Sequence, residues 1–303
     1  MTEEAILFGK TKSLVGVVTD PAERDDGLPA VILLNAGIVH RVGPHRMYVR
    51  IARELAAIGF VGFRFDFSGI GDSRVREDSG AFGENMIEET REAMDCLERV
   101  RSVRQFVLIG LCSGATVSYQ TACCDPRVAG GVLINPAGHL HDTTNHELNA
   151  FLRTRTLALH YRRMAFARSY RRKSWIRTMT GSVDYWNVLK AGLKAGIETV
   201  FGRTGLGAEG AREALERLRG LSDRGIRLLH VYSEGDESLD YPSLVLGDEM
   251  KRLKESRQLR MEIIAGTNHS FTLRWSQDHL LKVILDWVRP MGQRHGSAHE
   301  TRE

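Results

Sequence analysis

Gly110-Leu111-Cys112-Ser113-Gly114 closes the apolar run Gln105-Phe106-Val107-Leu108-Ile109 and opens a helix-compatible segment from Ala115 to Cys123. A strand that passes through G-x-nucleophile-x-G directly into a helix turns so sharply that the residues two before and two after the centre must lack side chains. Gly110 and Gly114 meet that demand when the centre is Cys112. Centring the turn on Ser113 would put Leu111 and Ala115 where glycines are wanted. The spacing therefore favours Cys112 as nucleophile, with Ser113 as the alternative.

The surrounding sequence supplies the scaffold for such a turn. Ser13 to Thr19 alternates as an early strand, Ala30 to Leu34 is a continuous apolar run suited to a central strand, and Phe60 to Phe65 reads as the next. Pro44 to Ile58 has apolar residues at helical spacing (Met47, Ile51, Leu55, Ile58) and stops at Gly59. Glu84 to Val100 reads as a helix and Val128 to Ile134 as the strand beyond the turn. Short β-branched runs alternating with helices predict an α/β class with a mostly parallel, doubly wound sheet. The rhythm breaks after Asn135-Pro136-Ala137-Gly138 and resumes at Ile226 to Tyr232. The intervening stretch is too long for a structureless loop. It is expected to form a helical cap over residues 139–224, inserted into a core of residues 1–138 and 225–290. Met261 to Ala265 reads as the last strand and Gln277 to Val288 as a closing helix, while the polar tail 291–303 is expected to be disordered.

Two late strands end in groups that complement a nucleophile. Ile226 to Tyr232 leads into Ser233-Glu234-Gly235-Asp236, and Met261 to Ala265 into Gly266-Thr267-Asn268-His269. The order nucleophile, acid, histidine assigns His269 as the proton acceptor and Asp236 as the carboxylate that fixes its tautomer. Glu234, Glu237, Asp240 and Asp142 are rivals for the acid. A developing oxyanion needs two backbone donors. The N–H of Ser113 is one, and Ala36 or Gly37, in the loop after Ala30 to Leu34, is expected to supply the other. The histidines His139, His141 and His146 read as surface or cap residues, and no metal or cofactor site is expected.

Together these segments resemble the α/β-hydrolase superfamily over about Ser13 to Val288, with the nucleophile elbow, acid and histidine in its order. The turn Asp66-Phe67-Ser68-Gly69-Ile70-Gly71-Asp72-Ser73 resembles the superfamily's D-x-R-G-x-G-x-S, with Ser68 in place of the arginine. It reads as structural, Asp66 bonding to nearby backbone. Within the superfamily the chain is similar to the hydrolases encoded beside bacterial exosortase and exopolysaccharide systems. The matching stretches are His40-Arg41-Val42-Gly43-Pro44-His45-Arg46, Phe63-Arg64-Phe65-Asp66, Gly110-Leu111-Cys112 and Leu133-Ile134-Asn135-Pro136. The expected cap also shares His160-Tyr161 and Arg171-Arg172-Lys173-Ser174-Trp175. That family also has a cysteine elbow, often without the second glycine found here. The resemblance implies an α/β-hydrolase fold and a cysteine nucleophile.

The bulk properties set outer limits. The 303 residues are 42% hydrophobic and 26% charged, which reads as a folded globular chain. The start shows no signal-peptide pattern and no apolar run is long enough to span a bilayer, so the expected location is the cytoplasm. There, Cys96, Cys112, Cys123 and Cys124 are expected to be thiols, with the adjacent pair serving packing. Residues 151–177 contain nine Lys or Arg and no acid. The run reads either as a solvated face or as a patch for an anionic partner such as an acyl carrier protein, with Arg171 and Arg172 as expected contacts. No base-reading motif accompanies it, so nucleic acid is not an expected partner. The function expected is acyl transfer or thioester hydrolysis through a Cys112 acyl-enzyme, on a small acyl substrate that is carrier-bound or of coenzyme A type. A cap that excludes water would favour transfer over hydrolysis. The competing readings are an oxygen-ester carboxylesterase or deacylase, and a non-catalytic binding protein on the same fold.

Overall fold

The computed structural model describes residues 1–78, 82–136, 205–247, 249–255 and 259–291. Arg171, Arg172, Asp142, the cap histidines, the cap segment up to 204 and the tail from 292 lie outside these. The strands are β1 (Thr2–Phe8), β2 (Leu14–Asp20), β3 (Ala30–Leu34), β4 (Gly62–Phe65), β5 (Phe106–Leu111), β6 (Val128–Ile134), β7 (Arg227–Ser233) and β8 (Leu259–Ile264). The described helices are α1 (Met47–Ala57), α2 (Phe82–Arg101), α3 (Ser113–Cys124), α4 (Gly205–Asp223), α5 (Tyr241–Leu246), α6 (Glu249–Glu255) and α7 (Arg274–Val288). The strands form one sheet in the order β1-β2-β4-β3-β5-β6-β7-β8. β2 runs antiparallel to both its neighbours and every pair from β4 onward is parallel. An α/β-hydrolase fold with a mostly parallel sheet is what the residue pattern predicted.

Alternation of side chains divides the core into two layers. Ala30, Ile32 and Leu34 of β3 and Phe106 and Leu108 of β5 pack on the side covered by α2, α3 and α4. Val31, Leu33, Val107, Ile109 and Leu111 pack on the other side under α1 and α7. All five residues of β3 are fully buried, as the unbroken apolar run required. Burying each of the larger ones contributes about 1.5–3 kcal/mol. The end of the range expected for the cap, 139–224, is helix α4, whose Ala214, Leu218 and Leu221 join the same core layer as α2 and α3.

The edge hairpin β1–β2 includes a strand that the sequence reading left out. β1 faces solvent along most of its length, so it lacks an alternating signal. It is held instead by Glu3, which accepts from Arg53 (2.8 Å) and Arg64 (2.9 Å). The Arg53 hydrogen bond, aided by Arg64 against partial burial, pulls the Glu3 carboxyl down to about 2. No helix among the described residues is long and apolar enough to cross a membrane. All four cysteines are free thiols. Cys123 is half-buried and packs against the core, as expected of the pair, whereas Cys124 is exposed.

Candidate functional site

The register Leu34–Gly110–Leu133 carries β3, β5 and β6 to a common carboxyl edge, and Ile134–Val231 and Ser233–Ile264 continue it to β7 and β8. In a parallel sheet this edge is where loops from several strands converge. Cys112 sits on it, between β5 and α3, at φ 58° and ψ −118°. That backbone is one an L-residue rarely adopts, and it costs roughly 1–3 kcal/mol unless the surroundings impose it. They do. The Cys112 N–H donates to Ile134 O (2.9 Å), and the N–H of Ala115 returns to Cys112 O (3.1 Å). Leu111 N–H donates to the hydroxyl of the fully buried Tyr48 (3.0 Å).

The two glycines are required for the reason the spacing suggested. A Cβ on Gly110 would stand 2.1 Å from the carbonyl carbon of Gly114 and 2.4 Å from the nitrogen of Ala115. A Cβ on Gly114 would stand 2.5 Å from Asn35 O and 2.6 Å from Leu34 O. α3 thus rests directly on the end of β3, with no room for a side chain between them.

The fold brings Cys112, His269 and Asp236 together. His269 hydrogen-bonds Asp236 Oδ2 through Nδ1. That bond foremost, with nearby Cys112 adding to it against partial burial, raises the imidazole to about 10. Asp236 is buried, which would raise its carboxyl. Hydrogen bonds from His269 and from Ser238, whose N–H lies 2.8 Å from Oδ1, overcome that and hold it below the ordinary aspartate value. Of the described rivals, Glu234 is exposed and spends its carboxylate on Gly266 N–H (2.8 Å), and Glu237 is exposed. Asp240 precedes α5 and is half-buried.

Several supporting residues were not read as such from the sequence. Asn135, at φ 45° after β6, accepts the N–H of Ser233 (2.8 Å) and donates to Ser233 Oγ (3.2 Å) and His269 O (2.8 Å). It ties the acid-bearing strand to the histidine loop. Ser238 orients Asp236. Neither has a local signal, because each acts on a residue brought near only by folding.

On the opposite side lies the loop Asn35-Ala36-Gly37-Ile38. The Gly37 N–H donates to Ser113 Oγ (2.8 Å), so one expected oxyanion donor is taken by the serine beside Cys112. Among the described residues the N–H groups of Ser113 and Ala36 have no hydrogen-bond acceptor. Asn35 anchors this loop: its Nδ2 donates to Val39 O (2.8 Å) and its Oδ1 accepts from Phe67 N–H (2.9 Å). The Asp66 turn is structural as expected, accepting the N–H of Arg41 (2.6 Å) and of Asp72 (3.2 Å). Among the described residues no three His, Cys, Asp or Glu side chains are grouped to hold a metal ion.

Comparison with known proteins agrees with this geometry at the level of fold. The model of the family described as "Alpha/beta hydrolase family" matches residues 31–279. No curated protein matches. Solved structures do. An esterase from Pyrococcus furiosus aligns at TM-score 0.56 and 15% identity, covering 95% of this chain and 91% of that one. A proline iminopeptidase from Mycobacterium smegmatis aligns at TM-score 0.54 and 16% identity, covering 96% and 99%. An α/β serine hydrolase homologue from Coxiella burnetii aligns at TM-score 0.51 and 14% identity, covering 94% and 97%. At these identities the likeness is one of fold alone.

Proposed function

Because the chain belongs to the alpha/beta hydrolase family, we propose that it is an acyl-transferring or thioester-hydrolysing enzyme in which Cys112 carries the acyl group. The observation that carries this reading is the position of Cys112: a strained backbone at the start of α3, beside a histidine whose Nδ1 hydrogen-bonds a buried carboxylate. Backbone strain of this kind clusters at functional sites.

The first step forms a bond from Cys112 Sγ to the acyl carbonyl carbon. The sulfur attacks with the proton of the pair held on His269, whose raised affinity for it comes chiefly from Asp236. The carbonyl oxygen becomes an oxyanion held by the N–H of Ser113 and that of Ala36, the Gly37 N–H being engaged by Ser113 Oγ. On collapse the bond to the leaving group breaks, and that group takes the proton from His269. In the second step an alcohol, amine, thiol or water attacks the acyl-thioester, gives its proton to His269, and releases Cys112. Exchange between a thioester substrate and a thioester intermediate is nearly balanced in energy, which suits sulfur to an acyl donor that is itself a thioester. The resemblance to the exosortase-linked hydrolases supports cysteine as the nucleophile.

The alternative is an oxygen-ester carboxylesterase. The observation in its favour is that several aligned structures are named esterases, the Pyrococcus furiosus protein among them. The two separate in one experiment. Matched acetyl thioester and acetyl oxygen ester are offered with and without an amine acceptor, and free acid and amide are quantified. Preference for the thioester, with amide formed, supports the proposal. Oxygen-ester preference with free acid as sole product refutes it in favour of the esterase.

A further inference from the structure

The superfamily-like turn at Asp66 lacks its arginine, since Ser68 stands there. The carboxylate is nonetheless fully buried. A sealed carboxylate needs a counter-charge and a full set of donors. Arg41, from the loop after β3, supplies both. Its backbone N–H reaches Asp66 Oδ1 at 2.6 Å and its guanidinium pairs with Oδ2. The other arm of the guanidinium reaches Asp72 at 2.6 Å. Asn35 Nδ2 lies 3.3 Å from the same Oδ1. The turn is closed tightly over the carboxylate, for a Cβ on Gly71 (φ +54°) would stand 2.3 Å from Oδ2.

The loop from Asn35 to Arg41 is therefore attached at both ends to one buried carboxylate. Ala36 and Gly37 lie between the attachments, and Val39 N–H closes the turn on Ala36 O (3.0 Å). We propose that Arg41 is a positioning residue: it neutralises Asp66 and so fixes the 35–41 loop with the N–H of Ala36 directed at the carbonyl oxygen of the substrate. Arg41 touches no reacting atom and acts through Asp66 and the loop. The inference rests on the acyl-enzyme reading above.

Two reactions of the same thiol isolate this role. Alkylation of Cys112 by iodoacetamide is a direct displacement and develops no oxyanion, whereas acylation by a short acyl thioester does. Acylation and alkylation are both followed by peptide mass at Cys112, because Cys124 is also an exposed thiol, in wild type, Arg41→Ala and Arg41→Lys. Arg41→Ala is expected to slow acylation about 10²-fold, the effect of misplacing a donor by about 1 Å, with alkylation changed less than about 2-fold. Arg41→Lys, which keeps charge without the two-armed fork, falls between. Should Arg41→Ala fail to fold, the same ratio is read in Arg41→Lys. Acylation unchanged, or both reactions slowed together, overturns the positioning role while leaving the acyl-enzyme reading intact. Wild-type protein that is alkylated but never acylated overturns both.

Discussion

Gly114→Ala and Gly220→Ala make the same chemical change, one methyl group in a helix, at sites with opposite surroundings. At Gly114 the new Cβ would lie 2.5 Å from Asn35 O and 2.6 Å from Leu34 O, both backbone atoms. An ordinary carbon–oxygen contact is about 3.3 Å, so α3 and the end of β3 must part by about 0.8 Å. Overpacking of this kind costs about 1–3 kcal/mol, the upper end applying where both partners are backbone. Unfolding entropy of about 2.1 cal/mol/K per residue, over 303 residues, turns 3 kcal/mol into a Tm about 5 °C lower. At exposed Gly220, in α4, nothing lies within 4 Å of the added Cβ. There the gain is about 0.5–1 kcal/mol, because alanine loses less backbone freedom on folding. Calorimetric melting of the two variants reads the difference directly. The Gly114 strain also falls on Asn35, which anchors the donor loop, so acylation should slow about 10²-fold. Equal Tm values for the two variants would refute the claim that α3 rests on β3 through the glycine.

The pH dependence follows from His269. Its raised value of about 10 means that the acid needed to protonate a leaving group disappears as pH climbs through 10, so kcat/KM for a poor leaving group falls there. Asp236→Asn should move that limb down toward the ordinary histidine value of about 6.5, and a limb that stays in place excludes Asp236 as its cause. The same shift makes the stability contributed by His269 full below about pH 6.5, while Asp236 stays ionised, and lost as pH rises through 10. His269→Ala should slow acylation by orders of magnitude, measured as pre-steady-state acyl loading; a rate near wild type would remove it from the proton path. For the basic stretch, charge reversal at Arg171 and Arg172 should raise KM for a carrier-bound donor far more than for a small neutral thioester. Equal effects on both donors would show that these arginines do not recruit the carrier.

What was legible in the sequence was what the backbone demands locally. Gly110 and Gly114 bracket Cys112 because carbonyls of neighbouring elements occupy the space of a Cβ, and that requirement shows in spacing alone. β3 and β6 coincide with their apolar runs because both faces are covered. β1 was hidden because its residues face water and its pairing with β2 supplies the order. The short helices α5 and α6 occupy a stretch where the apolar period is too brief to register. Around the site, chain order pointed to His269, but four carboxylates between 234 and 240 look alike until the fold shows which one reaches the imidazole. Arg41 was quoted only as part of a resembling stretch, because its partner Asp66 lies 25 residues away. The missing arginine at 68, beside a carboxylate that folds inward, was the signal that could have revealed it.

Cys112 and Ser113 are adjacent, and both face the site, one beside His269 and the other accepting the Gly37 N–H. The most direct test of the account is therefore to load the protein with an acyl thioester, stop the reaction in acid, and map the added mass by peptide fragmentation. The acyl group is expected on Cys112, absent from Cys112→Ala and retained in Ser113→Ala. An acyl group found on Ser113, or loading that survives in Cys112→Ala, would contradict it.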